Sequence, residues 1–136
     1  MKMLKQAIYC FFITVIITAC SGNGYEPGAT ALESGREFID GCLKGDFKKA
    51  SFYMIDDDTN QSDLLKIKRD YDTKSSDKKH DYATASIIIN SDETINDSTH
   101  IINYAASYDK IAHKIKLINR KGKWLVDFKY TFNGNL

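Results

Sequence analysis

The spacing of hydrophobic and polar positions changes about halfway along the chain. Between residues 30 and 71, apolar residues recur every three or four positions, as on one face of an α-helix. From Tyr82 onward, β-branched and aromatic residues alternate with polar ones, which is typical of strands buried on one face. The chain therefore predicts an α+β fold in which N-terminal helices pack on one face of a sheet.

Three short helices are predicted in the first half. The first carries an apolar stripe made of Leu32, Gly35, Phe38, Ile39, Cys42 and Leu43. Gly45 is placed to end it in a left-handed conformation, and Asp46 to cap the next helix by accepting a backbone N–H. The second helix carries Phe47, Ala50, Phe52 or Tyr53, and Met54. Residues 56–60 are interpreted as a helix-ending loop, and a third helix is expected from Ser62 to Tyr71.

Four strands are predicted after a polar, lysine-rich loop at residues 72–81. They cover residues 82–90, 99–108, 111–119 and 123–132. Their connections are too short for parallel crossovers, which need about a dozen residues, so the sheet is expected to be an antiparallel meander. In the last strand, alternation directs Trp124, Val126, Phe128, Tyr130 and Phe132 toward the helices.

The chain begins like an exported protein. Two lysines precede an apolar run over residues 7–19, which is too short for a bilayer that takes about 20 apolar residues. The run ends in Ile17-Thr18-Ala19-Cys20, which resembles the lipobox of bacterial lipoproteins. We therefore expect a signal peptide over residues 1–19, a lipid-bearing Cys20, a flexible tether over 20–30 and a domain over 31–136.

The lipobox resemblance implies a cell-envelope protein held on a membrane by the lipid on Cys20. Acyl chains contribute about 0.8 kcal/mol per buried methylene, so two or three chains make detachment negligible. Ser21 follows the cysteine in place of the aspartate that retains enterobacterial lipoproteins in the inner membrane. The outer membrane is therefore the expected location.

Charge argues against a nucleic-acid partner. Without Lys2 and Lys5 the 19 basic residues become 17, against 18 acidic ones. Nucleic-acid binding relies on clustered lysines and arginines that neutralise phosphates. The lysines here are interleaved with aspartates, which is typical of a mixed, solvated surface.

Cysteine and histidine positions give no sign of a metal or cofactor. With Cys10 in the signal segment and Cys20 acylated, Cys42 remains, and its helical stripe favours a small core residue over a nucleophile. No two histidines have the spacing of metal ligands. The acidic run that starts at Asp56 has isoleucine at its twelfth position, where a calcium-binding EF-hand loop needs glutamate.

Two segments carry a family resemblance. Residues 43–50, Leu-Lys-Gly-Asp-Phe-Lys-Lys-Ala, join two predicted helices, and residues 119–127, Asn-Arg-Lys-Gly-Lys-Trp-Leu-Val-Asp, form a closing hairpin. With the order of elements over residues 31–132, they resemble small bacterial lipoproteins with a lumazine-binding-like domain of unknown function. These belong to the nuclear transport factor two-like, or cystatin-like, superfamily. The resemblance implies a cone whose curved sheet wraps the first helix, with room for a pocket at its open end.

His113 is the sharpest candidate for chemistry. Alternation places it on the same face as Ile115, and a nearby carboxylate such as Asp109 or Asp127 would make it a general base. Asp127, however, is expected on the opposite face of the sheet, so that pair would need a bulge. Tyr104 and Tyr108 are the candidate ligand contacts beside His113, because tyrosine suits both apolar and polar contact.

Three functions remain open. The leading hypothesis is a non-catalytic module that binds a small apolar ligand or another envelope protein. The second is a pocket enzyme of the isomerase or dehydratase type that uses His113 or a nearby aspartate, because relatives in the superfamily include such enzymes. The third is a structural envelope protein that dimerises through the outer face of its sheet. Fold analogy alone assigns no reaction.

Overall fold

A computed structural model describes residues 24–132. The predicted signal peptide, the lipid site at Cys20 and residues 133–136 lie outside the described residues. Within the described range the protein is α+β, with four helices, a four-stranded sheet and a 3-10 helix. The elements are α1 (Ala31–Lys44), α2 (Phe47–Phe52), α3 (Asp58–Thr73), α4 (Ser76–Thr84), β1 (Ile87–Asn96), β2 (Thr99–Ala106), β3 (Ala112–Arg120), β4 (Lys123–Asp127) and the 3-10 helix Phe128–Phe132.

Local capping chemistry sets the ends of α1 and the start of α2. Thr30 caps α1 by accepting the Glu33 N–H at 3.1 Å. Gly45 ends α1 with φ 73°, a left-handed conformation that a residue without Cβ adopts freely. Asp46 then caps α2 by accepting the Lys49 N–H at 2.9 Å. The predictions at Gly45 and Asp46 are confirmed.

The segment after α2 pairs with the sheet. Tyr53 and Met54 were predicted on the second helix, but α2 ends at Phe52. The Val126 N–H donates to the Tyr53 carbonyl at 2.8 Å, and the Ile55 N–H donates to the Val126 carbonyl at 2.9 Å. Buried backbone groups need partners, and β4 provides them at a distance of about 70 residues along the chain.

The third helix starts earlier than predicted. Asp57 caps it by accepting the Asn60 N–H at 2.8 Å, so the acidic run begins a helix, and the predictions of a helix-ending loop and of a start at Ser62 are wrong. The helix continues to Thr73, where a loop was expected. Ion pairs four residues apart support its polar last turns, with Lys68 on Asp72 at 2.6 Å.

The predicted loop at residues 72–81 contains most of a fourth helix. Ser75 caps α4 by accepting the Lys78 N–H at 3.3 Å. None of its residues is buried, so α4 lacks the apolar stripe from which helices are recognised in a sequence. Tyr82, which was predicted in the first strand, lies in the last turns of this helix.

The sheet is an antiparallel meander in the order β1-β2-β3-β4, as predicted. β1 starts later than expected and continues through polar residues that were predicted as a turn. Its register shifts after Ile89 and again after Thr94, which is the signature of bulges. β4 ends at Asp127, and the alternating residues beyond it form the 3-10 helix rather than a strand.

The core lies between α1 and one face of the sheet. Phe38 and Ile39 of α1 are at most 2% exposed, and so are the facing sheet residues Ile102, Ile115, Leu117 and Val126. A Cβ on Gly35 would lie 2.9 Å from the Ile102 side chain, so glycine lets α1 approach the sheet closely. Phe38 also meets Phe128 edge-on, with ring centroids 4.9 Å apart.

The segment before α1 lies against the domain. The Tyr25 hydroxyl donates to the Asp46 carboxylate at 2.9 Å, and the Tyr53 hydroxyl donates to the Glu26 carbonyl at 2.6 Å. Tyr25 and Glu26, which lie in the predicted tether, are therefore hydrogen-bonded to Asp46 and Tyr53, the N-cap and C-cap residues of α2.

Within residues 24–132, no helix combines the length and apolar character needed to cross a bilayer.

Candidate ligand-binding cavity

A cavity of about 310 Å³ lies between α1, α3, α4 and the inner face of the sheet. Its apolar wall consists of Phe38, Ile39, Leu43, Ile67, Phe128 and Phe132. The volume is at the lower end of the range of about 300–1,000 Å³ found for small-molecule sites. The cavity therefore has the size and the lining of a site for a small, mostly apolar molecule.

The three residues singled out from the sequence all line this cavity. Tyr104 comes from β2, Tyr108 from the turn after β2, and His113 from β3. Tyr104 and His113 are directly paired across the two strands, and their ring centroids are 5.6 Å apart. The alternation that placed His113 on the inner face with Ile115 thus predicted its position correctly.

The polar atoms of Tyr104 and His113 have no hydrogen-bond partner among the described residues, although both side chains are half-buried. Burial raises the pKa of the Tyr104 hydroxyl, and the charge of Asp109 adds to this effect. The hydroxyl is therefore a neutral donor at physiological pH. Together the two side chains form a polar spot on an apolar wall.

Tyr82 and Tyr108 are in ring contact on the cavity wall. Their ring centroids are 4.3 Å apart, and Tyr108 is 37% exposed. Burial, followed by hydrogen bonds with Tyr82 and Asp109, raises the pKa of the Tyr108 hydroxyl. The Lys74 ammonium lies 5.3 Å from the centre of the Tyr82 ring. The sequence placed Tyr82 in a strand, so its role at the cavity depended on the unpredicted helix α4.

Cys42 also lines the cavity, beside the core residues that the sequence predicted as its neighbours. Burial raises the pKa of its thiol to about 12. A reactive cysteine needs a lowered pKa from a cation or a helix N-terminus. The thiol is therefore protonated near neutral pH, which is typical of a small apolar wall residue rather than a nucleophile.

Carboxylates near His113 are engaged elsewhere. Asp127 pairs in register with Lys116, three positions from His113 on β3 and therefore on the opposite face of the sheet, as the alternation predicted. The Asp109 carboxylate accepts the Ile111 N–H at 3.0 Å. Asp70 lines the cavity, and its carboxylate is paired with Lys74 at 2.6 Å. Within residues 24–132, His113 has no hydrogen bond to a carboxylate.

His100, which the sequence did not single out, is a hydrogen-bonded surface histidine. Its Nδ1 is 2.9 Å from the Asp92 carboxylate and its Nε2 is 3.4 Å from the Thr94 hydroxyl. Its ring meets Trp124 edge-on at 5.0 Å. Both ring nitrogens have partners on the neighbouring strand β1, so His100 fastens β1 to β2.

A second polar cluster, the Asn60 network, consists of Asp57, Asn60, Lys116, Asp127 and Lys129. The fully buried Asn60 accepts the Lys129 N–H at 2.7 Å and donates to Asp57 at 3.1 Å and to Asp127 at 3.4 Å. The Lys129 ammonium lies 2.8 Å from each of the two carboxylates, and Lys116 lies 3.2 Å from Asp127. The network ties the start of α3 to the end of β4, and its polar groups satisfy each other.

Over residues 24–132, no group of three or more histidine, cysteine, aspartate or glutamate side chains is arranged to hold a metal ion.

Comparisons with known proteins do not identify the chain, because no family model, no curated protein and no solved structure matches it. The resemblance to nuclear transport factor two-like lipoproteins stays a prediction from the sequence. The function is therefore argued from the cavity itself, since a fold hosts many functions and the site defines each one.

Proposed function

We propose that this protein is an envelope lipoprotein whose domain binds a small, mostly apolar molecule in the cavity beside α1 without transforming it. The observation that carries the proposal is a cavity of about 310 Å³ whose wall is largely aromatic and aliphatic, with a few polar groups. Small-molecule sites have this composition, in which the apolar wall supplies affinity and the polar groups fix orientation.

The proposed fold is the cone of the cystatin-like superfamily, with the sheet curved around α1. Two features support it: the close approach of α1 to the sheet at Gly35 and the register shift after Ile89 in β1. A bulge bends its strand and increases its twist, which curves a sheet. In such a cone, the cavity beside α1 would be the open end.

The proposed anchor is a lipid on Cys20. Tyr25 and Glu26 are held against the domain, so four residues would remain between the lipid and the first fixed position. Four residues fully extended reach about 14 Å at most. The domain would therefore stay close to the membrane, where an apolar ligand concentrates.

A pocket enzyme of the isomerase or dehydratase type is the second candidate. The position of His113 in the cavity favours it. The carboxylates near His113 argue for the binding module instead, because Asp109, Asp127 and Asp70 have other partners. A general base of this type works best with a group that orients it and stabilises its protonated form.

A structural dimer through the outer face of the sheet is less well supported. On β3 that face carries Lys114 and Lys116, and Ile118 follows them. Interfaces between proteins are depleted of charged residues at their centres, whereas this face has lysines there. The cavity therefore supports a binding function better than the outer sheet face supports a dimer.

Methyl NMR tests the proposed binding on the full chain in detergent micelles. With naphthalene as the probe, we expect saturable shifts of the cavity methyls of Ile39, Ile67 and Ala106, and none at the exposed Ile95. Micelle uptake of the probe lowers its free concentration but cannot produce this selectivity. Equal shifts at Ile39 and Ile95 would contradict a cavity site.

A matched pair of alanine variants locates the site. Ala106 lines the cavity near the end of β2, while Ala112 is exposed on β3. Ala106→Leu adds three carbon atoms to the cavity wall, so it should weaken naphthalene binding at least about tenfold, because overpacked atoms displace the ligand. Ala112→Leu should leave the affinity unchanged. Equal affinity in both variants would place the probe elsewhere.

The anchor is tested with two cysteine variants of the full chain. Cys20→Ser should abolish incorporation of a palmitate analogue and release the matured domain from the membrane fraction. Cys42→Ser, which changes a thiol of the cavity wall, should leave both unchanged. Unaltered acylation and membrane partition in Cys20→Ser would overturn the lipoprotein assignment.

A further inference from the structure

We infer that the cavity takes a neutral molecule with one hydroxyl or carbonyl group on an otherwise apolar body, and that Tyr104 and His113 bind this group. The inference rests on the proposed binding function and adds the chemical class of the ligand. It is carried by two half-buried polar side chains that lie together on the cavity wall without partners among the described residues.

The missing partner distinguishes Tyr104 from Tyr25 and Tyr53. The Tyr53 hydroxyl donates to the Glu26 carbonyl at 2.6 Å, and the Tyr25 hydroxyl donates to Asp46 at 2.9 Å. Among residues 24–132, Ser34 Oγ is the one fully enclosed side-chain polar atom without a partner, so the unpaired Tyr104 hydroxyl is accessible from the cavity. The Tyr104 hydroxyl faces the cavity, so a molecule inside it is in position to supply the partner.

Tyr104 and His113 act on the same part of a ligand. They are paired across β2 and β3, and their rings are inclined by 38° at a centroid distance of 5.6 Å. A phenol hydroxyl donates one hydrogen bond, and a neutral imidazole offers one donor and one acceptor nitrogen. A ligand hydroxyl can accept from Tyr104 and donate to His113, while a carbonyl can accept from both.

The charge of the wall selects a neutral ligand. No lysine or arginine is among the described residues that line the cavity, and the Lys74 ammonium beside it is paired with Asp70 at 2.6 Å. An anionic head group would therefore lose its hydration without gaining an unpaired cation. The charged residue on the wall, Asp70, is already paired with Lys74 at 2.6 Å and offers little to a cationic ligand. An alcohol, phenol or ketone loses less hydration free energy than an ion when it enters the cavity.

Three probes with the same ring system separate the effect of the apolar body from those of a hydroxyl group and of a negative charge. They are naphthalene, 2-naphthol and 2-naphthoate. They are titrated into the full chain in micelles at neutral pH, with the Ile39 and Ile67 methyl signals as the readout. Tyr104→Phe removes one oxygen from the wall, and Tyr53→Phe is the control, because its hydroxyl lies outside the cavity on Glu26. Micelle partition is the same for every variant, so it cancels when each probe's affinity is compared between variants.

We expect Tyr104→Phe to weaken 2-naphthol about fivefold, the effect of one net hydrogen bond, and to leave naphthalene unchanged. His113→Phe should do the same, and Tyr53→Phe should change neither affinity. On the unaltered chain, once each affinity is corrected for the micelle-bound fraction of the probe, 2-naphthoate should bind at least about tenfold more weakly than 2-naphthol.

Each alternative result overturns the inference in a recognisable way. Naphthalene and 2-naphthol could both bind while Tyr104→Phe changes their affinities equally or not at all. In that case the cavity binds the probes, but Tyr104 does not bind the polar group of the ligand. If 2-naphthoate binds most tightly, the ligand class is wrong. If no probe shifts the cavity methyls, the proposed function fails together with the inference.

Discussion

The cavity wall has Tyr104 and His113 on one face of the sheet, and the Asn60 network includes Lys116 and Asp127 on the other face. The two regions differ in how their polar side chains are satisfied. In the network, Asn60 is fully buried and bonds to Asp57, Asp127 and the backbone of Lys129. On the cavity wall, the side chains of Tyr104 and His113 have an aromatic contact with each other and no hydrogen bond within residues 24–132.

This difference separates structural from functional polar groups. The hydrogen bonds of the Asn60 network are complete without a ligand, so the loss of one side chain leaves several other groups unpaired. The polar atoms of the cavity wall gain little hydrogen-bond free energy until a ligand supplies their partners. The network should therefore control stability, and the wall should control binding.

The largest expected effect is the loss of the Asn60 side chain. Asn60→Ala leaves the Lys129 N–H and two carboxylates short of partners, so the free energy of unfolding should fall by about 3 kcal/mol. Urea unfolding measures it. Asn90→Ala is the matched control, because the exposed Asn90 amide donates to Asn103 at 3.0 Å, and it should cost less than about 1 kcal/mol. Equal costs would contradict the structural role of the network.

The second effect is acid sensitivity from the network. Asp127 is desolvated, but hydrogen bonds from Lys129 and Lys116 outweigh this and hold its pKa below the usual value. Bonds from Asn60 and Lys129 lower the pKa of Asp57 as well. Groups with lowered pKa values stabilise the fold above their unfolded pKa of about 4, and this stabilisation is lost as pH falls through the folded pKa.

Asp127→Asn should therefore flatten the loss of unfolding free energy between pH 5 and pH 2, roughly the window of an aspartate with a lowered pKa. Urea midpoints across this range measure the slope, which is independent of any uniform destabilisation by the substitution. Tyr104→Phe should keep the acid slope of the unaltered chain. An unchanged slope in Asp127→Asn would show that other carboxylates cause the acid loss.

Two residues of the cavity wall contribute to the loss of unfolding free energy at high pH. Burial raises the pKa of Cys42 to about 12 and also raises that of Tyr104. Groups with raised pKa values stabilise the fold below their unfolded values and lose this contribution as pH rises through the folded pKa. Stability should therefore decline from about pH 9 upward. Tyr104→Phe should reduce the decline, and Asn90→Ala, which removes no titrating group, should not.

The smallest expected effect is the stability of Tyr104→Phe at neutral pH. Its hydroxyl has no hydrogen bond to lose among the described residues, so the free energy of unfolding should change by less than about 0.5 kcal/mol. Thermal and urea unfolding both measure it. A loss as large as that of Asn60→Ala would mean that Tyr104 belongs to a closed structural network.

Local chemistry explains what was predictable from the sequence. The stripe around Phe38 and Ile39 predicted α1, and Gly45 with Asp46 predicted the break after it. Alternation over β3 placed His113 on the inner face and, with β4, kept Asp127 away from it. These features depend on periodicity and capping, which a few neighbouring residues determine.

The errors occurred where distant contacts determine the structure. α4 has no buried residue, and Tyr82 anchors it through its contact with Tyr108. Beyond the end of β4, the Lys129 N–H donates to the side chain of Asn60, 69 residues away. The cavity likewise depends on how far α3 and α4 stand from the sheet, and no spacing along the chain encodes this distance.

The most direct test of the central claim is a set of intermolecular nuclear Overhauser effects between 2-naphthol and the full chain. The account predicts contacts from the naphthol ring to the methyl groups of Ile39 and Ile67, and to the Tyr104 ring. Tyr104→Phe should weaken them at the same probe concentration. Contacts confined to exposed methyls such as those of Ile95, with none to Ile39, would show that the cavity is not the binding site.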